Sequence, residues 1–166
     1  MPIDLSRRGL LGAAALLTFD SGLPLATWAQ SQGKRLKVVV AGGHHDDPET
    51  GAGGTMARYS LLHHDVVCLY LTRGEAGIAG KSHSESARIR TAEAESACRI
   101  LRARPIFAGQ IDGATEVNRA RYDEFHTLLQ GLQPDVVFTH FPIDTHPDHR
   151  AVSLLVFESW QRVVLS

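Results

Sequence analysis

Five of the chain's nine histidines fall in two short stretches about 100 residues apart. One reads Gly43-His44-His45-Asp46-Asp47-Pro48-Glu49, the other runs from His140 to His149 as HFPIDTHPDH. Imidazoles and carboxylates at such spacing suit a hydrolytic metal site, which needs three N or O ligands and one open position for water. His44 and Asp47 stand three apart, so two side chains of one turn can reach the same ion. The third ligand must come from elsewhere, and His149 is the best candidate. Asp46 diverges from its neighbour Asp47 and is left free to act as a base on water. His146 lies three residues before His149, so both can face one crevice if a helix starts near Pro147. It would polarise or protonate a substrate, with Asp148 fixing its tautomer. A His₂Asp set suits zinc and also Fe²⁺. His140 ends a strand, where it can line the pocket or pack. His63-His64 read as a solvated helix end, and His83 and His126 as surface residues.

The elements needed to bring these stretches together are also legible. Leu36–Ala41 (LKVVVA) and Val66–Leu71 (VVCLYL) are unbroken apolar runs of strand type. Pro105–Ala108 and VVFTH at 136–140 give a third and a fourth strand. Between them lie helices over Thr55–Leu62, delayed by the glycines at 51, 53 and 54, over Ser84–Leu101 with Ser84 as cap, and over Val117–Leu132. A last helix starts at Pro147 and sets Val152, Leu155, Val156, Trp160 and Val163 on one face. Alternating strands and helices imply an α/β, Rossmann-like, three-layer parallel sheet with helices on both faces. Ligands of such sheets bind at the carboxyl ends of the strands, where both histidine stretches lie.

The two stretches resemble the motifs of the PIG-L/LmbE-like deacetylase family, A-H-P-D-D-x-E at 43–49 and H-P-D-H at 146–149. Thr72-Arg-Gly-Glu75-Ala-Gly77 resembles the family's T-x-G-E-x-G, Arg90-Thr-Ala-Glu93 its R-x-x-E helix, and Gln110-Ile-Asp112-Gly113 a loop carrying an aspartate. The resemblance implies a zinc-dependent hydrolase that removes an acetyl or other acyl group from the nitrogen of an amino sugar such as an N-acetylglucosamine derivative. It implies His44, Asp47 and His149 as metal ligands, Asp46 as general base, and His146 as acid or oxyanion stabiliser with Asp148 orienting it. Arg90 and Asp112 would touch the sugar. His45 stands where the family has Pro, and is expected to loosen the loop or add a stray ligand. The chain stops 17 residues after His149, so the expectation is a domain (31–166) shortened at its C-terminus. An inactive metal- or sugar-binding fragment of the family is the alternative.

Composition bounds the rest. Seventeen basic against eighteen acidic residues give a net charge of −1, which offers no electrostatic case for a nucleic-acid partner. The partner expected is a small-molecule or glycan substrate. The two cysteines, Cys68 and Cys98, form no CxxC pair, and each falls in a core element, so buried thiols are expected. Residues 1–30 read as an export signal: Arg7-Arg8, then GLLGAAALL, too short to span a bilayer, then a small-residue cleavage region around Ala29. The SRRGLL stretch resembles a twin-arginine signal, so a periplasmic or secreted location is expected, with no integral membrane span. Gly74–Ser82 ends in Gly-Lys-Ser but has Glu75 where a phosphate loop needs glycine, which argues against nucleotide chemistry.

Overall fold

In the computed structural model the described residues are 33–165; the segment read as an export signal lies outside them. Four strands and four helices alternate: β1 (Lys37–Gly42), α1 (Asp47–Leu61), β2 (Asp65–Thr72), α2 (His83–Leu101), β3 (Arg104–Gln110), α3 (Arg119–Leu132), β4 (Val136–Phe138) and α4 (Pro147–Leu165). The strands form one parallel sheet in the order β3-β2-β1-β4. Strand alternation divides the core between the two faces of the sheet. Val39, Ala41, Val67 and Leu69 pack with Phe125 of α3 and Val152, Leu155 and Val156 of α4. Val38, Val40, Val66, Cys68 and Tyr70 pack with Met56 of α1 and Ala94 and Cys98 of α2. Helices therefore cover both faces, as the sequence pattern requires. Both cysteines are free and buried.

Of the boundaries that differ from the sequence reading, three have a local reason. Helix α1 starts at Asp47, not Thr55. Pro48 in its first turn is already fixed at a helical φ, Asp47 and Glu49 favour the positive end of the helix, and the Asp46 backbone N–H donates to Glu49 Oε2 at 3.2 Å. Together these outweigh three glycines at about 1 kcal/mol each. The cap of α2 is Ser82, not Ser84: its Oγ accepts from the Glu85 N–H at 3.3 Å, the first half of an S-x-x-E signature. β4 ends at Phe138, so Thr139 and His140 leave the sheet. Pro105 is accommodated because β3 is an edge strand.

Strands β1 and β4 are neighbours, with Val40 opposite Phe138. Their carboxyl ends thus open side by side, and the loops that follow, 43–46 and 139–146, share one edge of the sheet. Among the described residues no helix is long and apolar enough to cross a membrane.

Candidate active site

The site is assembled from four loops, two helix starts and Arg90 of α2. Gly42 ends β1 and Gly43 follows it, both where a side chain would be crowded. A Cβ on Gly42 would sit 2.7 Å from Asp47 Cβ and 2.7 Å from Pro48 Cδ, and one on Gly43 would meet His149 Cδ2 at 3.1 Å. The chain then turns back through Asp46, which takes the left-handed φ of 103°. Such backbone is strained for a non-glycine residue, and it separates the directions of Asp46 and Asp47.

Asp47 lies at the centre. Its Oδ2 accepts the His44 backbone N–H at 2.8 Å and stands 3.5 Å from His44 Nδ1, 3.3 Å from His149 Nε2 and 3.2 Å from His140 Nε2. Burial opposes its ionisation, but the hydrogen bonds from His140 and His44 overcome that and hold its carboxyl well below the usual range. The His44 and His149 rings are 5.3 Å apart and tilted by 56°.

The outer nitrogen of each of these two imidazoles is held by carboxylate. His44 Nε2 is 3.0 Å from Asp148 Oδ2 and 3.2 Å from Asp112 Oδ1. His149 Nδ1 is 3.2 Å from Asp144 Oδ1. That leaves His44 Nδ1 and His149 Nε2 directed toward Asp47. Donors 2.0–2.2 Å from one tetrahedral ion lie roughly 3.3–3.6 Å apart, the spacing found from Asp47 Oδ2 to both rings. Carboxylates behind metal-facing imidazoles are the usual support of such ligands, so the chemistry of the donors and their spacing from Asp47 suit a zinc-type ion, while His44 and His149 group closely with each other only together with His146. Without one, the carboxylates charge His44 instead: burial works against the imidazolium, but Asp47, Asp148 and Asp112 outweigh it and raise its pKa to about 9.

Asp148 differs from the sequence expectation. Its carboxylate turns to His44, not His146, and is fixed by the Gly113 N–H at 2.9 Å and Thr115 Oγ1 at 2.6 Å. It is the backbone N–H of Asp148 that reaches His146, donating to Nδ1 at 3.2 Å. A neutral His146 therefore carries its proton on Nε2. The spacing alone could not reveal this, because Gly113 and Thr115 arrive from a loop after β3.

Asp46, Arg90, Asp112 and His146 line one open cavity of about 480 Å³, together with His44, Gly74, Ala76, Gly77 and Gly113. The Asp46 carboxylate is 64% exposed and paired with Arg90 at 3.1 Å. Arg90 also donates to the His45 carbonyl at 2.6 Å and to Glu93 at 2.8 Å. The T-x-G-E-x-G stretch supplies the floor. Glu75 accepts the backbone N–H of Asp112 at 3.1 Å, while Asp112 accepts that of Ala76 at 3.1 Å, so two loops tie each other in place.

His45 neither loosens the loop nor joins the donor set. It is 2% exposed and packs against Tyr70 (4.9 Å) and Phe107 (5.4 Å). Neither ring nitrogen has a hydrogen-bond partner. Burial first, then the charges of Arg90 and Arg73, lower its pKa to about 4. His140 and Asp144 join the site although the sequence reading left the first between packing and lining and did not single out the second. Asp144 stands five residues before His149, and its Oδ1 also accepts the His146 N–H at 2.7 Å.

Residues 38–160 match the family model described as PIG-L: GlcNAc-PI de-N-acetylase, and the chain belongs to this family. Among its relatives, it is 32% identical over 130 residues to a diacetylchitobiose deacetylase of Thermococcus kodakarensis, covering 74% of this chain and 48% of the relative. It superimposes on the conserved protein TT1542 of Thermus thermophilus with a TM-score of 0.67 at 34% identity, over 76% of this chain and 56% of that one. The N,N'-diacetylchitobiose deacetylase of Pyrococcus horikoshii, solved with an inhibitor, matches with a TM-score of 0.67 at 28% identity, over 95% and 59%. The chain thus spans about half the length of the curated relative it matches.

Proposed function

We propose that this site hydrolyses the amide of an N-acetylated amino sugar, with a divalent ion, zinc or Fe²⁺, held by His44, Asp47 and His149. The observation that carries the reading is the convergence of His44 Nδ1 and His149 Nε2 on Asp47 Oδ2, each ring backed by carboxylate. The relatives named as diacetylchitobiose deacetylases support the substrate class. Bound there, such an ion supplies a Lewis acid that polarises an amide carbonyl and acidifies water.

The chain's own residues do the rest. Asp46, at the cavity wall, takes a proton from the attacking water, and Arg90 fixes its carboxylate. His146 presents Nε2–H to the carbonyl oxygen as charge develops on it, a donor role of the oxyanion-hole type. The proton collected at Asp46 passes to the departing amine, so atoms and charge balance over the cycle. Arg90 and Asp112 line the cavity where the sugar would sit.

The test is acetate release from N-acetylglucosamine and N,N'-diacetylchitobiose, with zinc content measured on the same samples. Asp46→Ala should keep the metal and lose about 10²–10⁴-fold in turnover, whereas His44→Ala should lose the metal. Wild-type activity in Asp46→Ala would remove it as the base. Bound zinc without acetate release from the wild-type chain would leave an inactive sugar- or metal-binding member of the family. Export through the twin-arginine-like segment belongs to the same proposal and rests on Arg7-Arg8 and the apolar run behind them.

A further inference from the structure

We infer that His140 is a positioning residue that sets Asp47 for the ion, a role that rests on the ligand reading above. His140 lies beyond the last residue of β4, on the loop between β4 and α4. Its Nε2 stands 3.2 Å from Asp47 Oδ2, and its ring stacks on His149 with centroids 3.9 Å apart and planes within 10°.

Proximity alone would admit Asp47, His140 and His149 as a ligand triad, but the stacking argues against it. Imidazole binds metals through an in-plane lone pair. For two parallel rings one above the other, an ion in the plane of one lies well out of the plane of its neighbour. The tilted His44–His149 pair has no such conflict. His140 therefore touches the ligands, not the ion.

Its nitrogen chemistry is decided the same way. Nε2 is within 3.4 Å of the Gly43 N–H and 3.2 Å of the Asp47 carboxylate. The carboxylate is nearer and charged, so Nε2 carries its proton and donates to Oδ2. Asp47 Oδ2 is then fixed from two directions, by the His44 N–H and by His140. The ring lies flat on the face of His149, whose Nδ1 edge meets Asp144. Partners of this kind are typically worth 10–100-fold in metal affinity.

The experiment measures zinc affinity by chelator competition and the d–d spectrum of the cobalt(II)-loaded full chain. His140→Gln keeps an amide donor near the position of Nε2. His140→Phe keeps a stacking ring without the donor. His140→Phe should weaken zinc by about 10–100-fold, His140→Gln by no more than a few-fold, and the saturated cobalt spectrum should match wild type in both. If His140→Phe does not fold, His140→Asn, whose shorter amide falls short of Asp47, takes its place with the same expectation. Wild-type affinity in His140→Phe would overturn the inference and leave the ligand assignment standing. Equal losses in the Gln and Phe variants, or an altered cobalt spectrum, would also overturn it, since the ring nitrogen would then be irreplaceable or a ligand itself. Should the wild-type chain bind neither ion, the ligand assignment falls and this inference with it.

Discussion

His44 and His45 are neighbours with opposite electrostatic fates, and each makes a prediction. His44 is surrounded by the carboxylates of Asp47, Asp112 and Asp148. Without a metal its folded-state pKa of about 9 lies above the ordinary 6.5. Its contribution to stability is then fully present below pH 6.5 and lost as pH rises through 9. Metal must displace that proton. So metal-free protein should lose stability between pH 6.5 and 9 while zinc affinity climbs by up to tenfold per unit; denaturant melts and chelator competition across that range check both. His45 runs the other way, with a folded-state pKa of about 4 against 6.5. Its neutral burial stabilises above pH 6.5, and that contribution is lost as pH falls through 4, on the order of 3 kcal/mol. His45→Leu keeps the packing against Tyr70 and Phe107 and should flatten the acid limb of the stability profile. An unchanged acid limb would show that His45 does not set it.

At the scale of elements, the turn between β1 and α1 carries the site. A methyl group on Gly42 would meet both Asp47 Cβ and Pro48 Cδ at 2.7 Å. These are the first residues of a helix, not the flexible ends of side chains, so relief requires α1 to shift. Gly42→Ala should cost about 1–3 kcal/mol, as overpacking usually does. It should also weaken zinc binding more than a surface change of equal destabilisation, because Asp47 moves with the helix. This is also where sequence reading reached its limit. The strands, the helices on both faces and the meeting of the loops after β1 and β4 were legible from apolar runs and from Pro147. The start of α1 was not, because the glycines at 51, 53 and 54 outvoted Asp47-Pro48 in any propensity sum. Nor was the destination of the Asp148 carboxylate, set by Gly113 and Thr115 from a distant loop. His140 was legible only as a residue that could line the pocket or pack, since its contacts exist only once β4 lies beside β1.

At the scale of the molecule, the candidate ligands join elements far apart in the sequence. His44 and Asp47 belong to the first crossover, His149 to the first turn of the last helix. Helix α4 is anchored by one face only: Val152, Leu155 and Val156 are buried, while Leu154 and Phe157 stay exposed. β4, which precedes it, pairs with β1 through just three residues. An ion shared between Asp47 and His149 would clamp this weakly held part to the central strand. Because the unfolded chain offers no preformed site, binding adds directly to folding stability, by about 2.7 kcal/mol at a free zinc concentration 100 times Kd. For a domain of this size that is roughly 10 °C in Tm. Stripping the metal with chelator should lower Tm by that order in wild type and in Asp46→Ala, and by nothing measurable in His44→Ala. A full shift surviving in His44→Ala would place the stabilising ion somewhere other than this cradle, and would separate the clamp from the chemistry.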